Sequence, residues 1–478
     1  MLTRSLATLG AVLLTSTALA QDITSVADTV ITEANDLRGL AYGTDGKIYV
    51  SGHLGDSSAE TNPETVVVVG RLNADGTPDT SFSEDGFAEV DLGEGLVEQS
   101  LAVAPLANGD VVAVVNANEE EGGTSVYLVR FTSDGQQVTG TWGGATGAVE
   151  VVFGWANADN DSFPGVENPP QDTAWDLKVD NSSGVEKLVV AGHGAAANGS
   201  GRTDNDRYVV RLLAEDGSVD PEFNGGQPFT YHSAQALSDG GRRISVEPDG
   251  AIVSAGYTNL GDALRNHVIL IRLNADGTLD DSFGGFVAPE SSAEAIGLTV
   301  TPGVAVFNPF VADQGFAECY AAVRLSDGSY VTTGYGGATG EGVASSLGFK
   351  TTEGPDLVSF KLTANGLDPS YGGNGQVAVQ SEGLGLASAE DRGRLLVALS
   401  GDRTLHVGYV GGIPSAVVLD ANGALDTSVS EDGIIELPNE TVGAQFFGAA
   451  VSPDGKHVAL STNNNKAGAR VVILELQN

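Results

Sequence analysis

Six histidines, His53, His193, His232, His267, His406 and His457, are the side chains best placed to move protons near neutral pH. They are scattered along the chain, and none falls at a spacing that would build a metal site or a catalytic triad locally. There is no G-x-S-x-G, no H-E-x-x-H, no C-x-x-C and no glycine-rich loop opening a helix. Any hydrolase chemistry would have to be assembled from distant parts of the chain. A second group, Asn157, Asp159 and Asp161, alternates within Trp155–Glu167 and could set three oxygens around one cation; calcium is the cofactor that would suit them. Pro164 and the absence of a complete loop pattern argue equally for a solvated acidic loop. Asn73, Asp75 and Asp79 also stand at loop spacing, but they lack the further oxygens and the Glu near position twelve that a calcium loop needs.

These acids belong to a repeat, and the repeat organises the chain. Arg272–Phe283 reads RLNADGTLDDSF; Arg71–Phe82 and Arg211–Phe223 are close copies, and Lys361–Tyr371 and Leu419–Val429 are looser ones. Arg130–Trp142 is a degraded copy in which Val138 replaces the second acid. The Asp-Gly or Asn-Gly pair predicts a two-residue hairpin turn with positive φ. The later acid (Asp79, Asp220, Asp280, Asp368, Asp426) is expected to cap backbone N–H groups. The aromatic after it (Phe82, Phe223, Phe283, Tyr371) is expected to anchor the turn on the next unit.

A second turn precedes each copy: Asp45-Gly46, Asn108-Gly109, Ser183-Gly184, Asp249-Gly250, Asp327-Gly328 and Gly401-Asp402, with Asp454-Gly455 in a final unit. Each unit thus reads strand, turn, strand, loop, strand, turn, strand. Such four-stranded repeats predict an all-β fold, a seven-bladed β-propeller of four-stranded antiparallel blades. The final unit ends after its third strand, Arg470–Leu476. The surplus strand at Asp22–Ile31 is expected to close that last blade from the N-terminal end.

RLNADGTLDDSFGG at Arg272–Gly285 resembles the delta-60 repeat of exported bacterial proteins, and the likeness extends in decayed copies over most of the chain. The resemblance implies an exported, propeller-like protein with no established common activity, and it implies no catalytic residues.

Residues 1–20 read as a secretory signal peptide, with Arg4, an apolar stretch Leu6–Leu14 and an Ala18-Leu19-Ala20 cleavage site, leaving residues 21–478 as a single propeller domain. No apolar run reaches the length of a membrane helix. The lone Cys319 excludes an intramolecular disulfide. Asp and Glu outnumber Lys and Arg 63 to 23, giving a net charge of −40. That balance argues against nucleic acid or an anionic membrane as partner.

Length variation in the repeat falls in the loops after the second strand and between blades, including Trp155–Asp176 and Gly285–Cys319. All of these are expected on one face of the ring, where a repeat scaffold binds its partners. The residues just after the second strands, His53, Asn116, His193, Tyr257, Tyr335, Tyr409 and Thr462, fall in register there. His53, His193, Tyr257, Tyr335 and Tyr409 either line a ligand site for a sugar or peptide, or cover the strand ends with an apolar body and a polar tip. The leading expectation is a non-enzymatic propeller that binds an extracellular or periplasmic protein or glycan through this face. The alternatives are a propeller hydrolase or lyase acting on a carbohydrate-like substrate, and a surface-layer component.

Overall fold

The computed structural model describes residues 23–476 except 56–63, 94–95, 119–122, 155–170, 197–201, 203, 233–236, 261–265, 289–300, 309–314, 338–354, 365, 374, 382–389, 431, 437–444 and 464–467. Residues 1–20 therefore lie outside the description, as do Asn157, Asp159 and Asp161. Among the described residues no helix is long and apolar enough to cross a membrane.

Strands such as Thr65–Leu72 carry near-continuous apolar runs because both of their faces are buried. Val67 and Val69 pack into one cluster, with Phe82 and Val111, whereas Val68 packs into another, with Ile48 and Ile473. A strand wedged between two neighbouring sheets has no solvent face, so the usual alternation of polar and apolar residues disappears.

Among the described residues the strands form six hydrogen-bonded sheets. Two of the four-stranded sheets run Glu98–Pro105, Val111–Asn118, Thr124–Phe131, Ala148–Val151, and Thr173–Asp180, Lys187–Ala195, Asn205–Leu213, Phe229–Tyr231. A third runs Arg392–Ala398, Thr404–Val410, Ile413–Leu419, Ile434–Glu436. Two five-stranded sheets begin at Asp239–Val246 and Phe316–Arg324. The eight-stranded sheet is two four-strand stretches, Asp36–Tyr42 through Phe87–Val90 and Gln445–Val451 through Ala469–Leu476 plus Ile23–Ile31, joined at the pair Asp36–Asn463. Ile23–Ile31 pairs antiparallel with Ala469–Leu476, from Ile23 opposite Leu476 to Ile31 opposite Ala469.

The first strands of successive stretches pack on one another in a closed circuit, from Asp36–Tyr42 through Glu98–Pro105, Thr173–Asp180, Asp239–Val246, Phe316–Arg324 and Arg392–Ala398 to Gln445–Val451, and back. The apolar core is divided accordingly, each cluster drawing on two consecutive stretches. All-β architecture, repeated antiparallel four-strand units and a closed inner circuit make this a β-propeller.

Two expectations are corrected. The Asp-Gly turns are not two-residue hairpins: the Asn73 carbonyl accepts from Gly76 N at 2.9 Å, Asn73 N donates to the Thr77 carbonyl at 2.8 Å, and Gly76, at φ 83°, is the turn residue with positive φ. That is a type I turn followed by a left-handed glycine bulge, the solution favoured when one more residue separates the strands. The extra length at Gly285–Cys319 does not lie wholly between units either. It contains the fourth strand, Val304–Phe307, with Phe286–Ala288 laid parallel along its outer edge.

The motif acids act as expected and do more. Asp79 Oδ1 accepts from Ser81 N at 3.1 Å, while its other oxygen takes Arg71 Nε at 2.7 Å and Lys47 Nζ at 2.6 Å. Arg71 then donates to the Ser133 carbonyl of the next unit at 2.6 Å and lies 5.1 Å over the Phe82 ring. Protein cations thus fill the position that a metal ion would take beside Asp79. In the degraded copy, where Val138 removes the acid, Arg130 turns to Asp110 at 2.6 Å and still reaches the Ala214 carbonyl at 2.7 Å.

Carboxylates at the entrance of the first strands tie each unit to the one before. Glu98 accepts from Leu92 N at 2.5 Å and Asp172 from Phe153 N at 3.0 Å. Each keeps a second, buried oxygen with no hydrogen-bond partner among the described residues. Burial pushes both pKa values up to about 7, so the folded state prefers their neutral forms. Their contribution is complete below the unfolded pKa of about 4 and is lost as pH rises through 7. Asp79 has the opposite sign: burial would raise its pKa, but Lys47, Ser81 and Arg71 outweigh burial and depress it, so its contribution is lost in strong acid. The buried imidazoles of His53, His193 and His406, with lowered pKa values, act in the opposite sense over the same range, so the test is a difference. In thermal melts the Tm of the parent should fall relative to that of Glu98→Gln/Asp172→Asn between pH 5 and pH 8; a constant difference would refute the assignment.

Candidate functional site

Each first strand slips register once near its start, at Leu37/Gly39, Ser100/Ala102, Ala174/Asp176, Gly241/Ile244, Cys319/Ala321, Gly393/Leu395 and Phe446/Gly448. A bulge releases a residue from the ladder and re-aims its side chain. The residues released are Arg38, Leu101, Trp175, Tyr320, Arg394 and Phe447, and on Asp239–Val246 the pair Arg242 and Arg243.

Arg243 crosses the centre of the circuit. Its guanidinium donates to the carbonyls of Leu101 and Trp175, both at 2.9 Å, and to those of Arg38 and Phe447, both at 3.4 Å. Asp176 lies 3.5 Å away as counter-charge. One side chain thereby satisfies carbonyls that the bulges have freed from four different strands, and it fills the axis at this level.

Beside this plug lies a cage of arginines and aromatic rings. Arg242 sits 4.2 Å over Trp175, 4.9 Å over Tyr320 and 5.0 Å over Tyr257. Arg394 lies 4.6 Å from the Tyr320 centroid, 5.2 Å from Phe447 and 5.9 Å from both Tyr335 and Tyr409. Arg392 covers Tyr335 at 4.2 Å, and Arg38 covers Phe447 at 4.8 Å. Cation–π contacts of this kind strengthen when the cation is desolvated.

Most of these cations are paired. Arg38 meets Asp36 at 2.9 Å, Arg242 meets Glu318 at 3.2 Å, and Arg392 meets Glu390 at 2.7 Å. Arg394 has no carboxylate partner among the described residues; its Nε donates to Gln445 Oε1 at 3.2 Å, and its terminal nitrogens donate to no described residue although the residue is only 8% exposed.

Tyr257, Tyr335 and Tyr409, expected from sequence at this mouth, all stand in the cage. Gly240, opposite Tyr257, is required there, because a Cβ would come within 2.1 Å of the Tyr257 ring. Burial raises the pKa of all three phenols, so they stay protonated donors. His193 stacks on Trp175 at 6.5 Å, and burial lowers its pKa to about 3. His53 is buried beside Asp36 and Arg38, with its pKa lowered chiefly by burial. Neutral, weakly basic imidazoles are poor proton acceptors near neutral pH. Asn116 instead ties two units, bonding both N–H and C=O of Ala174 at 2.8 and 3.0 Å, and Thr462 accepts from Arg470 N at 3.0 Å. Cys319 is buried, its thiol pKa pushed up to about 12. Among the described residues no group of three or more His, Cys, Asp or Glu is arranged to hold a metal ion.

The arginines, Trp175, Tyr320 and Phe447 were not singled out in the sequence. The available signal was Arg242-Arg243 and Arg392-Gly-Arg394, two close arginine pairs at the start of apolar strands in a chain with only 23 basic residues.

Among known proteins, a beta-propeller domain of unknown function (DUF5122) matches residues 43–82, 187–223 and 247–283. No curated protein matches the chain in sequence. In structure the chain is similar to a puromycin hydrolase (12% identity, TM-score 0.45), with 92% of this chain and 52% of that one covered. It therefore spans about half the length of that enzyme. It is also similar to the soluble aldose sugar dehydrogenase from Escherichia coli (12% identity, TM-score 0.37), with 80% and 99% covered. The fold rests on the chain's own sheets: this is a β-propeller protein in which three stretches match the beta-propeller domain of unknown function DUF5122.

Proposed function

We propose that the chain is an exported, seven-bladed propeller of the delta-60 type that binds an extracellular or periplasmic protein or glycan at the mouth of its axis, without turning it over. The blade count rests on dividing the eight-stranded sheet at its Asp36–Asn463 junction, with Ile23–Ile31 as the outer strand of the last blade. The observation that carries the binding reading is the cage: Tyr320, Tyr335, Tyr409 and Phe447 gathered round Arg394, where the first strands begin and the second strands end. Large rings around a cation whose terminal nitrogens donate to no described residue are recognition chemistry. Calcium at Asn157, Asp159 and Asp161, which lie outside the described residues, would be an accessory to this binding.

The test is a screen of the full chain against immobilised extracellular polysaccharides and peptides. Tyr320→Ala/Tyr335→Ala should lose at least about tenfold in affinity for any hit, the size expected of two hot-spot rings. Asp276→Ala, on an exposed turn, should bind as the parent does. Binding that survives the double substitution refutes the site, and turnover of a bound glycan would favour the hydrolase or lyase reading.

A further inference from the structure

We infer that the cage is a subsite for a single carboxylate, with Arg394 as its receptor and the surrounding rings holding the body that carries it. This inference rests on the axial binding site proposed above. Arg38, Arg242 and Arg392 each have a carboxylate, Asp36, Glu318 and Glu390, and Arg243 shares Asp176 with Lys178 while its donors are taken by four carbonyls. Of the five arginines, Arg394 alone has no carboxylate partner among the described residues.

A residue only 8% exposed leaves its guanidinium little water, which is costly unless the remaining donors are used. Four aromatic faces offset part of that cost, but they offer no acceptor to its terminal nitrogens. Those two nitrogens form a planar fork that matches the two oxygens of a carboxylate. The hydroxyls of Tyr320 and Tyr335 make no hydrogen bond to any described residue, and both are available as further donors.

Charge selects the ligand class. A phosphate monoester carries nearly two negative charges at neutral pH. Its second charge would find only arginines already neutralised, with Glu318 and Glu390 nearby to repel it. A carboxylate brings the one charge the site lacks. The flat walls suit either the apolar face of a sugar ring, as in a hexuronate, or an aromatic ring, as in a benzoate. Arg243 fills the axis beside the cage, so the ligand enters and leaves through the face where the first strands begin.

Both sources are tested on the full chain by isothermal calorimetry, with intrinsic tryptophan fluorescence, to which Trp142, Trp155 and Trp175 all contribute, followed in parallel. The probes are glucuronate against glucose, benzoate against benzamide, and inorganic phosphate. At least one acid should bind roughly tenfold or more tightly than its neutral counterpart, as a charged hydrogen-bonded contact provides, and phosphate should bind more weakly than that acid. Arg394→Gln should bring the affinity for the acid down to that for its neutral counterpart. Arg394→Lys, which keeps the charge but not the fork, should retain part of the preference, and melting curves of both variants show that they are folded. Equal binding of acid and neutral forms, tighter binding of phosphate, no binding of either acid, or an undiminished preference in Arg394→Gln would each overturn the carboxylate subsite. A polysaccharide hit lost in Tyr320→Ala/Tyr335→Ala would still leave the axial binding site standing, which separates the two failures.

Discussion

Arg243→Met destabilises the protein by about 3–5 kcal/mol, read as a fall in the denaturant midpoint, the scale seen when one member of a buried charged network is removed. The methionine keeps much of the apolar stem but provides no donor. The carbonyls of Leu101, Trp175, Arg38 and Phe447 lose their shared partner, and Asp176 loses a nearby cation. Water entering the axis would restore some of those bonds, so the loss stays below the sum of its parts. The comparison that isolates the effect is Leu101→Met, which alters a bulge side chain but not its carbonyl. An Arg243→Met midpoint within 1 kcal/mol of the parent would show that the axis is held by the sheets alone.

A loss of similar size, about 3–5 kcal/mol, is expected from Arg211→Met at the opposite end of the strands. Arg211 Nε meets Asp220 at 2.7 Å, and Nη1 meets both Asp180 at 3.0 Å and the Ala275 carbonyl at 2.6 Å, with the guanidinium 4.9 Å over Phe223. Both carboxylates are buried, and only Lys187, 3.0 Å from Asp220, would remain to compensate them. The sign of the pH dependence is diagnostic. Burial would raise the Asp220 pKa, but its bonds to Glu222 N, Lys187 and Arg211 depress it. The parent's advantage is therefore present above about pH 4 and is lost as Asp220 protonates below it. Melts at pH 7 and pH 3 should show the gap between parent and variant closing; a constant gap would assign the effect to packing on Phe223 alone.

The repeat RLNADGTLDDSF made the architecture legible because each of its residues has a local job. Glycine sets the turn, the later acid caps it, and the aromatic fills the space between units, as Phe283 does edge-on to Tyr330 at 5.5 Å. The strand from the N-terminal end was legible because a four-strand grammar came up one strand short. The cage was legible only in part. Tyr257, Tyr335 and Tyr409 follow a glycine in register, so their common level could be counted. Arg38, Arg242, Arg394, Trp175, Tyr320 and Phe447 reach the axis because of bulges, and a bulge shifts the alternation without changing residue types. Nor does sequence show that Asp36, Glu318 and Glu390 neutralise their neighbours and leave Arg394 over, because those pairings depend on which strands meet around the circuit. Asn157, Asp159 and Asp161 fall outside the described residues and stand as they did in the sequence.

The pairing of Ile23–Ile31 with Ala469–Leu476 also sets an order of events. The two strands are separated by nearly the whole chain, yet they share one ladder. The N-terminal strand is made first and must wait for the last strand to be delivered before it has a partner. Every other sheet is assembled from neighbours in sequence and can form as the chain emerges. Closing so long a loop costs entropy that grows only slowly with length, roughly 0.6 kcal/mol per doubling, but it makes the final contact a slow one. Until it forms, the ring is a split washer with two raw strand edges, open to pairing with a second molecule. The clasp that completes the fold is thus also its most vulnerable moment, and the acidic surface, with its net charge of −40, keeps neighbouring copies apart while it lasts.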